Sequence, residues 1–492
     1  MKNIKKFLAL GITAATMFAM TACGAGNGGA AAGGAPAGDT TVSTTARNMV
    51  IGSWWRQYYA TGDVLEDSAD WTGAQFSDDD DDAKHAEKEV NQRVALAKFD
   101  KVASIKENMN IDFTWVNLTY DGTKESLNTS VLAGAPDCDV YMVDAGMAIP
   151  AQANGLLVDL KTIVPADDDL FTNQTVFSYL DLGDDKACIL KVQGGLSNTY
   201  PLGFNLQMLE ENNLEDPRDL WDRGEWTWDK FLEYCEILTQ DTDGDGQIDQ
   251  YGYCGFANDT LNELLMSNGT AIAGGQTETL TSAATGEVLQ MFQDLYSPAH
   301  AYPYDYYYNG GNASDSMRNQ YNDGTIGFFP IAVWIQNANG NYPMDNGGQG
   351  NLAWDTVYVH WPVGPSGNKD TNPAVNASGG NFFVIPAGVE EPLRVYYFLY
   401  DLYNWFDGDT SFRDDPATAT WWYNETANKE EIKESNWNLQ LDCLARPGME
   451  LYDSLGVEFE LETLIDGTTT PAQWQETYKN SFQDALDATF GN

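Results

Sequence analysis

The stretch Asp139-Val-Tyr-Met-Val-Asp144 decides the fold, because it is a short apolar run bounded at both ends by acidic residues. A run of this length is typical of a strand that is buried on both faces. Residues 147–154 follow it directly and predict a helix. A strand that leads straight into a helix is the repeating unit of α/β folds, in which crossover helices connect parallel strands. We therefore expect an α/β protein with a parallel sheet.

The same alternation extends towards the N-terminus. Met49-Val-Ile-Gly-Ser-Trp-Trp55 is another short apolar run, and residues 83–109 carry apolar side chains near helical spacing. Residues 111–115 alternate between apolar and polar types, as a half-buried strand does, and residues 124–133 again favour a helix. The order strand, helix, strand, helix, strand, helix supports the α/β prediction.

Four residues stand where two of the predicted strands end. Ligands of open α/β sheets bind beyond the carboxyl ends of the strands. Trp54, Trp55 and Arg56 follow the first strand, and Asp144 follows the third. We expect these side chains at the functional edge of the sheet, where the aromatic rings would pack on a ligand and Asp144 would accept hydrogen bonds from it.

The first residues of the chain indicate export. Basic residues precede an apolar stretch at 7–20 that is too short to span a bilayer, which is typical of a signal peptide over residues 1–22. Met20-Thr-Ala-Cys23 resembles the lipobox of bacterial lipoproteins, in which the cysteine receives a lipid. Residues 23–47 are mostly Gly, Ala, Thr and Ser and predict a flexible tether. We expect a lipid-anchored protein on the extracytoplasmic face of the bacterial cell membrane.

The composition indicates an acidic protein with more than one domain. With 43% hydrophobic and 12% aromatic residues among 492, the chain is long enough for two or more cores. A formal net charge of −47 repels phosphate backbones and disfavours nucleic acid as a partner. We expect a monomer. Of the cysteines beyond Cys23, Cys235 and Cys254 flank one loop and would be able to pair, or all five would be buried free thiols.

Several motifs in the middle and late parts of the chain resemble those of the extracellular solute-binding protein family that includes maltose-binding protein. The resemblance begins with the opening stretch and covers nearly the whole chain after Arg47. Its further motifs are Asn154-Gly-Leu-Leu-Val-Asp-Leu160, Tyr200-Pro-Leu-Gly-Phe-Asn205, Gly224-Glu-Trp-Thr-Trp228, Gly324-Thr-Ile-Gly-Phe-Phe329 with Trp334, Trp361-Pro-Val-Gly-Pro365 and Gly379-Gly-Asn-Phe-Phe-Val-Ile-Pro386.

The resemblance implies a two-lobed, clam-shell fold of the periplasmic-binding-protein type II class, with several crossings between the lobes. It further implies a carbohydrate ligand in the cleft, an ABC permease as membrane partner, and ligand contacts from Asp144, Trp55, Trp334, Trp421 and Trp422. The expected segments are a signal peptide at 1–22, a lipidated tether at 23–47, lobe 1 at 48–201 and 377–435, and lobe 2 at 202–376 and 436–492.

An aspartate-rich loop predicts a structural calcium site. Asp241-Thr-Asp-Gly-Asp-Gly-Gln-Ile-Asp249 matches the first nine positions of a calcium-binding loop, with Gly246 at the sharp turn. Position twelve is Gly252 where such loops carry a bidentate glutamate, so the remaining ligands would be water or other groups. The alternative is an acidic turn in solvent. The expected ligands are the side chains of Asp241, Asp243, Asp245 and Asp249 and the carbonyl of Gln247.

Two other functions compete with carbohydrate binding. The same fold would also bind a peptide or another polar solute, and a secreted glycoside-cleaving enzyme would use two of the many carboxylates. The chain has only three histidines, none at metal-ligand spacing from another, and it lacks a phosphate-binding glycine loop and a nucleophile elbow. We therefore expect a binding protein without catalytic activity.

Overall fold

The computed structural model describes residues 43–54, 75–76, 82–194, 199–304, 323–331, 356–415 and 430–490, except for the side chains of a few residues at helix starts. In these ranges no helix combines the length with the apolar character that a membrane span requires. The strands there are β1 Arg47–Ser53, β2 Ile111–Asn117, β3 Val140–Val143, β4 Phe177–Tyr179, β5 Ile189–Val192, β6 Leu202–Asn205, β7 Tyr251–Tyr253, β8 Ile326–Pro330, β9 Thr356–Val359, β10 Val375–Asn376, β11 Phe382–Val384 and β12 Pro447–Gly448.

The helices of the described ranges follow most of the predicted segments, with ends that differ by a few residues. In chain order they are α1 Asp82–Met109, α2 Tyr120–Leu132, α3 Ala145–Ala153, α4 Asp169–Thr172, α5 Leu206–Glu211, α6 Pro217–Arg223, α7 Trp228–Leu238, α8 Ala257–Ser267, α9 Ala283–Leu295, α10 Pro392–Tyr403, α11 Thr410–Arg413, α12 Glu430–Leu444, α13 Glu462–Ile465 and α14 Pro471–Phe490. A single 3₁₀ turn, Leu160–Thr162, lies between α3 and α4.

The first sheet has six strands in the order β2-β1-β3-β11-β5-β4. β1 pairs in parallel with β2 along its full length and with β3 through Ile51 opposite Val140. β11 is antiparallel to both of its neighbours, and β4 is antiparallel to β5. The sheet is therefore mixed, and the prediction of a parallel sheet is wrong for its second half. The reason is that β11 arrives from the other lobe rather than through a crossover helix on the same sheet.

The second sheet has four strands in the order β7-β8-β6-β9. β6 is antiparallel to β8 and β9, and β7 extends the sheet in parallel to β8. Helix α7 packs on this sheet through buried residues three to four positions apart, among them Phe231, Tyr234 and Leu238. Thr227 caps the start of α7, since its hydroxyl accepts a hydrogen bond from the Lys230 amide at 3.4 Å.

The two sheets form the two lobes, and the described elements change lobe three times along the chain. The crossings lie between β5 and β6, between β10 and β11, and between α11 and α12. At the second crossing β10 pairs in parallel with β12. Backbone bonds from Ala374 to Arg446 and from Ala377 to Gly448, both 2.7 Å, extend the pairing. We call residues 374–378 together with 446–450 the crossover ribbon.

Helix α12 belongs to the second lobe from its start. The Asn436 side chain accepts a hydrogen bond from the Tyr358 amide at 2.9 Å and donates to the Thr356 carbonyl at 3.0 Å, so the helix is fixed to β9. The boundary predicted at residue 435 falls inside this continuous helix. The predicted lobe boundaries stay predictions.

The cysteines of the folded body are free thiols. Cys138, Cys188, Cys235, Cys254 and Cys443 are all buried, and none of them forms a disulfide. Burial raises the pKa of Cys138 to about 11 and that of Cys188 to about 12, so both remain protonated thiols at neutral pH. The alternative in which Cys235 pairs with Cys254 is therefore wrong, and these residues serve the core as small apolar side chains.

Candidate functional site

A cavity of about 280 Å³ lies between the two lobes, against the crossover ribbon. Lobe 1 contributes the first residues of α2 and α3, lobe 2 contributes the first turns of α8, and the segment after β12 closes the remaining side. We call this cavity the inter-lobe cleft. Its walls are formed by Tyr120, Asp144, Ala145, Gly146, Tyr200, Asn258, Asp259, Asn262, Asn376, Ser378, Gly379, Gly380, Glu450, Tyr452, Asp453 and Ser454.

Asp144, which the sequence singles out, stands at the lobe 1 wall of the cleft. One of its carboxylate oxygens caps α3 by accepting the Met147 amide at 2.9 Å. The other accepts the Tyr120 hydroxyl at 2.7 Å. Burial and this hydrogen bond raise the pKa of Tyr120, so its hydroxyl remains a donor at neutral pH. The carboxylate is thus held in one orientation and keeps acceptor capacity towards the cleft.

Of the predicted aromatic residues, Trp54 is the one that the structure describes. Its indole meets the Tyr120 ring edge-on, with centroids 5.7 Å apart and planes inclined by 68°. Trp54 therefore backs the ring that lines the cleft, on the same side as Asp144. The other predicted ligand contacts lie outside the described residues and stay predictions; they are Trp55, Arg56, Trp334, Trp421 and Trp422.

Two further carboxylates continue from Asp144 across the cleft. Asp259 stands in the first turn of α8, and Asp453 lies in the segment after β12; neither makes a hydrogen bond or ion pair within the described ranges. Burial, with the nearby Asp453 carboxylate, raises the pKa of Asp259 to about 7. Burial, with Asp144, raises the pKa of Asp453. We call Asp144, Asp453 and Asp259 the carboxylate row.

The crossover ribbon forms the floor of the cleft and is tied down by hydrogen bonds. Asn376 accepts the Glu450 amide at 3.1 Å and donates to the Glu450 carbonyl at 2.9 Å, and the Ser378 hydroxyl donates to that carbonyl at 2.6 Å. The Glu450 carboxylate accepts four backbone N–H groups, which favour its ionised form. Burial acts in the opposite direction and raises the pKa of Glu450 to about 7.

A larger cavity of about 640 Å³ adjoins the inter-lobe cleft and extends it along lobe 2. Tyr304 and Phe459 add aromatic surface to its walls. The two cavities therefore form one elongated space with room beyond the carboxylate row. The residues common to both are Tyr200, Asn258, Asp259 and Asp453.

Sequence reasoning missed most of the cleft. Asp259 lies in the first turn of α8, the helix that follows β7, but the strand Tyr251–Tyr253 was not predicted. Tyr120 follows the helix-capping residue Thr119, whose hydroxyl accepts the Gly122 amide, and that cap was the available signal. Asp453 follows no strand or cap pattern, and among 73 acidic residues it carries no signal of its own.

The predicted calcium loop lies on the surface of lobe 2, away from the cleft. Carboxylate oxygens of Asp241, Asp243 and Asp249 lie within 4.8 Å of one another, a separation that one cation with oxygen ligands spans. Gly246 has a φ of 92°, so the sharp turn expected there is present. Asp245 is outside this close group, and its side chain accepts the Gln247 amide at 2.8 Å.

Two α/β lobes, three crossings and a polar cleft against the crossings define a two-lobed binding protein of the periplasmic type II class. The chain belongs to the bacterial extracellular solute-binding proteins, whose family model matches residues 95–403. The family consists of binding proteins. A search of curated proteins found no significant match.

Solved structures with the same fold span nearly the whole length of the chain. The maltose/maltodextrin-binding domain MalE from Bdellovibrio bacteriovorus, bound to maltotriose, is 11% identical with a TM-score of 0.53, and the match covers 89% of this chain and 99% of that one. The GacH receptor of Streptomyces glaucescens is 15% identical with a TM-score of 0.53, and the match covers 90% of this chain and 99% of that one. The substrate-binding protein Lmo0181 from Listeria monocytogenes, in complex with cycloalternan, is 13% identical with a TM-score of 0.52. That match covers 91% of this chain and 99% of the Listeria protein.

Proposed function

We propose that the protein binds a neutral mono- or oligosaccharide in the inter-lobe cleft and delivers it unchanged to an ABC permease. The observation that carries the proposal is the lining of the cleft, which combines carboxylate, amide and hydroxyl groups with the Trp54–Tyr120 aromatic pair. Sugar hydroxyls need closely spaced planar acceptors and donors, and the flat C–H faces of a sugar pack on aromatic rings. The side chains of Asn258 and Asn262 supply both donors and acceptors.

The charge of the cleft supports a ligand without negative charge. The carboxylate row and Glu450 face it, whereas no lysine or arginine occurs among the described residues of its lining. A phosphorylated or carboxylated sugar would bring a further anion beside carboxylates that are already partly desolvated. A neutral sugar can instead donate several hydroxyl groups to them, and hydrogen bonds to ionised acceptors are the stronger ones.

Solved proteins of the same fold support a carbohydrate as the ligand class. The Bdellovibrio protein was solved with maltotriose, the Streptomyces receptor with acarbose, and the Listeria protein with cycloalternan. The elongated space formed by the cleft and the cavity beside it favours an oligosaccharide over a single ring. A peptide or another polar solute remains the second candidate, since asparagine and carboxylate groups also bind peptide N–H groups.

Titration calorimetry with a panel of neutral oligosaccharides, their uronic acid counterparts and short peptides tests the ligand class. We expect at least one neutral saccharide to bind with a micromolar or lower Kd. The affinity for its acidic counterpart should be lower by a factor of about ten or more. Chromatography of the recovered sugar should show it intact. The absence of heat with every carbohydrate would remove the sugar proposal, and a shortened sugar would support the glycoside-cleaving alternative instead.

We propose further that Cys23 carries a lipid that anchors the protein at the extracytoplasmic face of the membrane. The sequence supports this with a short apolar export signal, small residues before the cysteine and a polar tether after it. The mass of the N-terminal peptide of the mature protein is the measurement, and an unmodified N-terminus at another residue would refute lipidation.

Residues 241–249 are proposed to hold a calcium ion with a structural role. The three clustered carboxylates present oxygen atoms, and none of them forms an ion pair with a lysine or arginine among the described residues. A bound divalent cation would relieve the repulsion between Asp241, Asp243 and Asp249 and so stabilise the end of α7.

Chelation should therefore lower the melting temperature of the purified protein by several degrees, and added calcium should restore it. The Asp241→Asn variant should melt at the chelated temperature in both conditions, because it removes one ligand charge. Asp484→Asn, which changes an exposed aspartate on α14 without a role in the loop, is the matched control. Equal melting temperatures with and without chelator would refute the site.

A further inference from the structure

A third cavity, of about 510 Å³, lies on the opposite face of the crossover ribbon from the inter-lobe cleft. Side chains along an extended segment alternate between two faces. Asn376, Ser378 and Glu450 face the cleft, whereas their sequence neighbours line this other cavity, which we call the back cavity. The ribbon residues of the back cavity are Val375, Ala377, Pro447 and Met449.

The back cavity is largely apolar and is closed by both lobes. Helix α12 contributes Trp437, Leu441 and Leu444, and the edge of the first sheet contributes Tyr179 and Leu180. Leu441 is 45% exposed. A concave apolar surface of this volume has the dimensions of a small-ligand site.

One uncompensated positive charge faces this apolar space. The Lys191 ammonium, on β5, donates to the Ala377 carbonyl at 3.2 Å and stands 5.9 Å from the centre of the Phe382 ring. Lys191 forms no ion pair within the described residues. Loss of hydration lowers its pKa, with no carboxylate acting in the opposite direction. In a chain with 73 acidic and 26 basic residues, an inward lysine without a counter-ion is exceptional.

The other charged groups of the back cavity have hydrogen-bond or ion-pair partners of their own. Arg413 forms an ion pair with its neighbour Asp414, and its guanidinium also donates to the Thr175 carbonyl. The Asp181 carboxylate accepts the Gly183 amide at 2.8 Å. Gly194, at a φ of 78°, leaves room for the Arg413 side chain, because a Cβ there would lie 2.0 Å from Arg413 Nε. Lys191 is therefore the group that an occupant would neutralise.

We propose that the back cavity is a second binding site, for a small amphiphilic anion whose acidic group pairs with Lys191 and whose apolar body packs on Trp437, Leu441 and Met449. Burial of the body removes the exposed leucine from water. The acidic group serves as the counter-ion that the Lys191 ammonium lacks. A charge-assisted hydrogen bond of this kind is stronger in a partly dehydrated site. The site is distinct from the cleft, because the ribbon separates them.

Octanoate is the probe for the test, and 1-octanol and acetate are its controls for the apolar body alone and the charge alone. Calorimetry on the full mature protein should show one saturable octanoate site. The affinities for octanol and for acetate should each be lower than that for octanoate by a factor of about ten or more, because each probe lacks one of the two interactions. Asp144→Asn, a change on the other side of the ribbon, should leave octanoate binding unaltered.

Two variants of Lys191 decide whether the charge is responsible. Lys191→Met keeps the length of the apolar stem and should reduce octanoate affinity to about that of octanol, a loss of about tenfold or more. Lys191→Arg keeps the charge and should retain most of the affinity. Melting temperatures identify any variant that fails to fold. If Lys191→Met does not fold, the octanoate and octanol affinities are compared in Lys191→Arg instead.

The absence of saturable octanoate binding would overturn the proposal. Binding of several octanoate molecules with equal strength, unchanged in Lys191→Met, would equally overturn it, since that result indicates nonspecific partition onto apolar surface. Both outcomes are independent of the carbohydrate proposal, which is tested with other ligands and at other residues.

Discussion

Replacing Asp144 by asparagine should lower the affinity of the inter-lobe cleft for its saccharide by about 10- to 100-fold. The carboxylate is oriented by the Met147 amide and the Tyr120 hydroxyl, so that its free acceptor capacity points towards the ligand. Asparagine keeps the capping oxygen of α3 but loses the charge and one acceptor. Titration calorimetry with the saccharide identified by the panel measures the loss.

A matched control separates this effect from helix capping. Asp216 caps α6 by accepting the Arg218 amide at 2.9 Å, and it does not line the cleft. Asp216→Asn should therefore leave saccharide affinity unchanged. Tyr120→Phe should give an intermediate loss, because it releases the carboxylate without removing it. Wild-type affinity in Asp144→Asn would show that the ligand contacts other residues, even if the protein binds a sugar.

Replacing Glu450 by alanine should destabilise the protein by about 3–5 kcal/mol, the largest effect on stability that we expect from one substitution. Its carboxylate accepts the amides of Ile272, Ala273, Leu451 and Tyr452 at 2.5–2.9 Å, and the side chain is 2% exposed. Alanine would leave these N–H groups buried without acceptors. The midpoint of urea unfolding, followed by tryptophan fluorescence, measures the change.

Glutamine at the same position gives a graded comparison. Its amide oxygen can replace the carboxylate oxygen that accepts three of the amides, while its NH₂ group would face the Ile272 amide donor. Glu450→Gln should therefore cost about 1–3 kcal/mol. Glu476→Gln, on the exposed side of α14, should change stability by less than about 0.5 kcal/mol. Equal unfolding midpoints for Glu450→Ala and wild type would show that these amides find other acceptors.

Elements with a strong period were predictable from the sequence. The spacing of apolar residues in α1 indicated this helix to within a few residues, because helical periodicity is a local property. The mixed order of the first sheet was not predictable from local pattern. β11 inserts between β3 and β5 from nearly 200 residues further along the chain than β5, and only tertiary packing determines such a neighbour.

The candidate site shows the same division. Asp144 was found because it follows a buried strand and caps a helix, which are two local signals in one residue. The pairing of β10 with β12 in the crossover ribbon was not predicted, because these strands have two residues each, too few for any period to be visible. The roles of Glu450 and Lys191 depend on contacts with segments that are distant in the sequence. The residues beside them in the chain therefore give no local signal that would predict these roles.

The alternation of side chains along the crossover ribbon bears on how such a protein can acquire new specificities. Residues 376 and 378 line the inter-lobe cleft and residues 375 and 377 line the back cavity, so a point substitution can alter the wall of one cavity without altering that of the other. A single-codon deletion between them would instead exchange the two sets, placing valine and alanine before the sugar and an asparagine amide among leucines. Length changes should therefore be confined to the loops that flank this short segment.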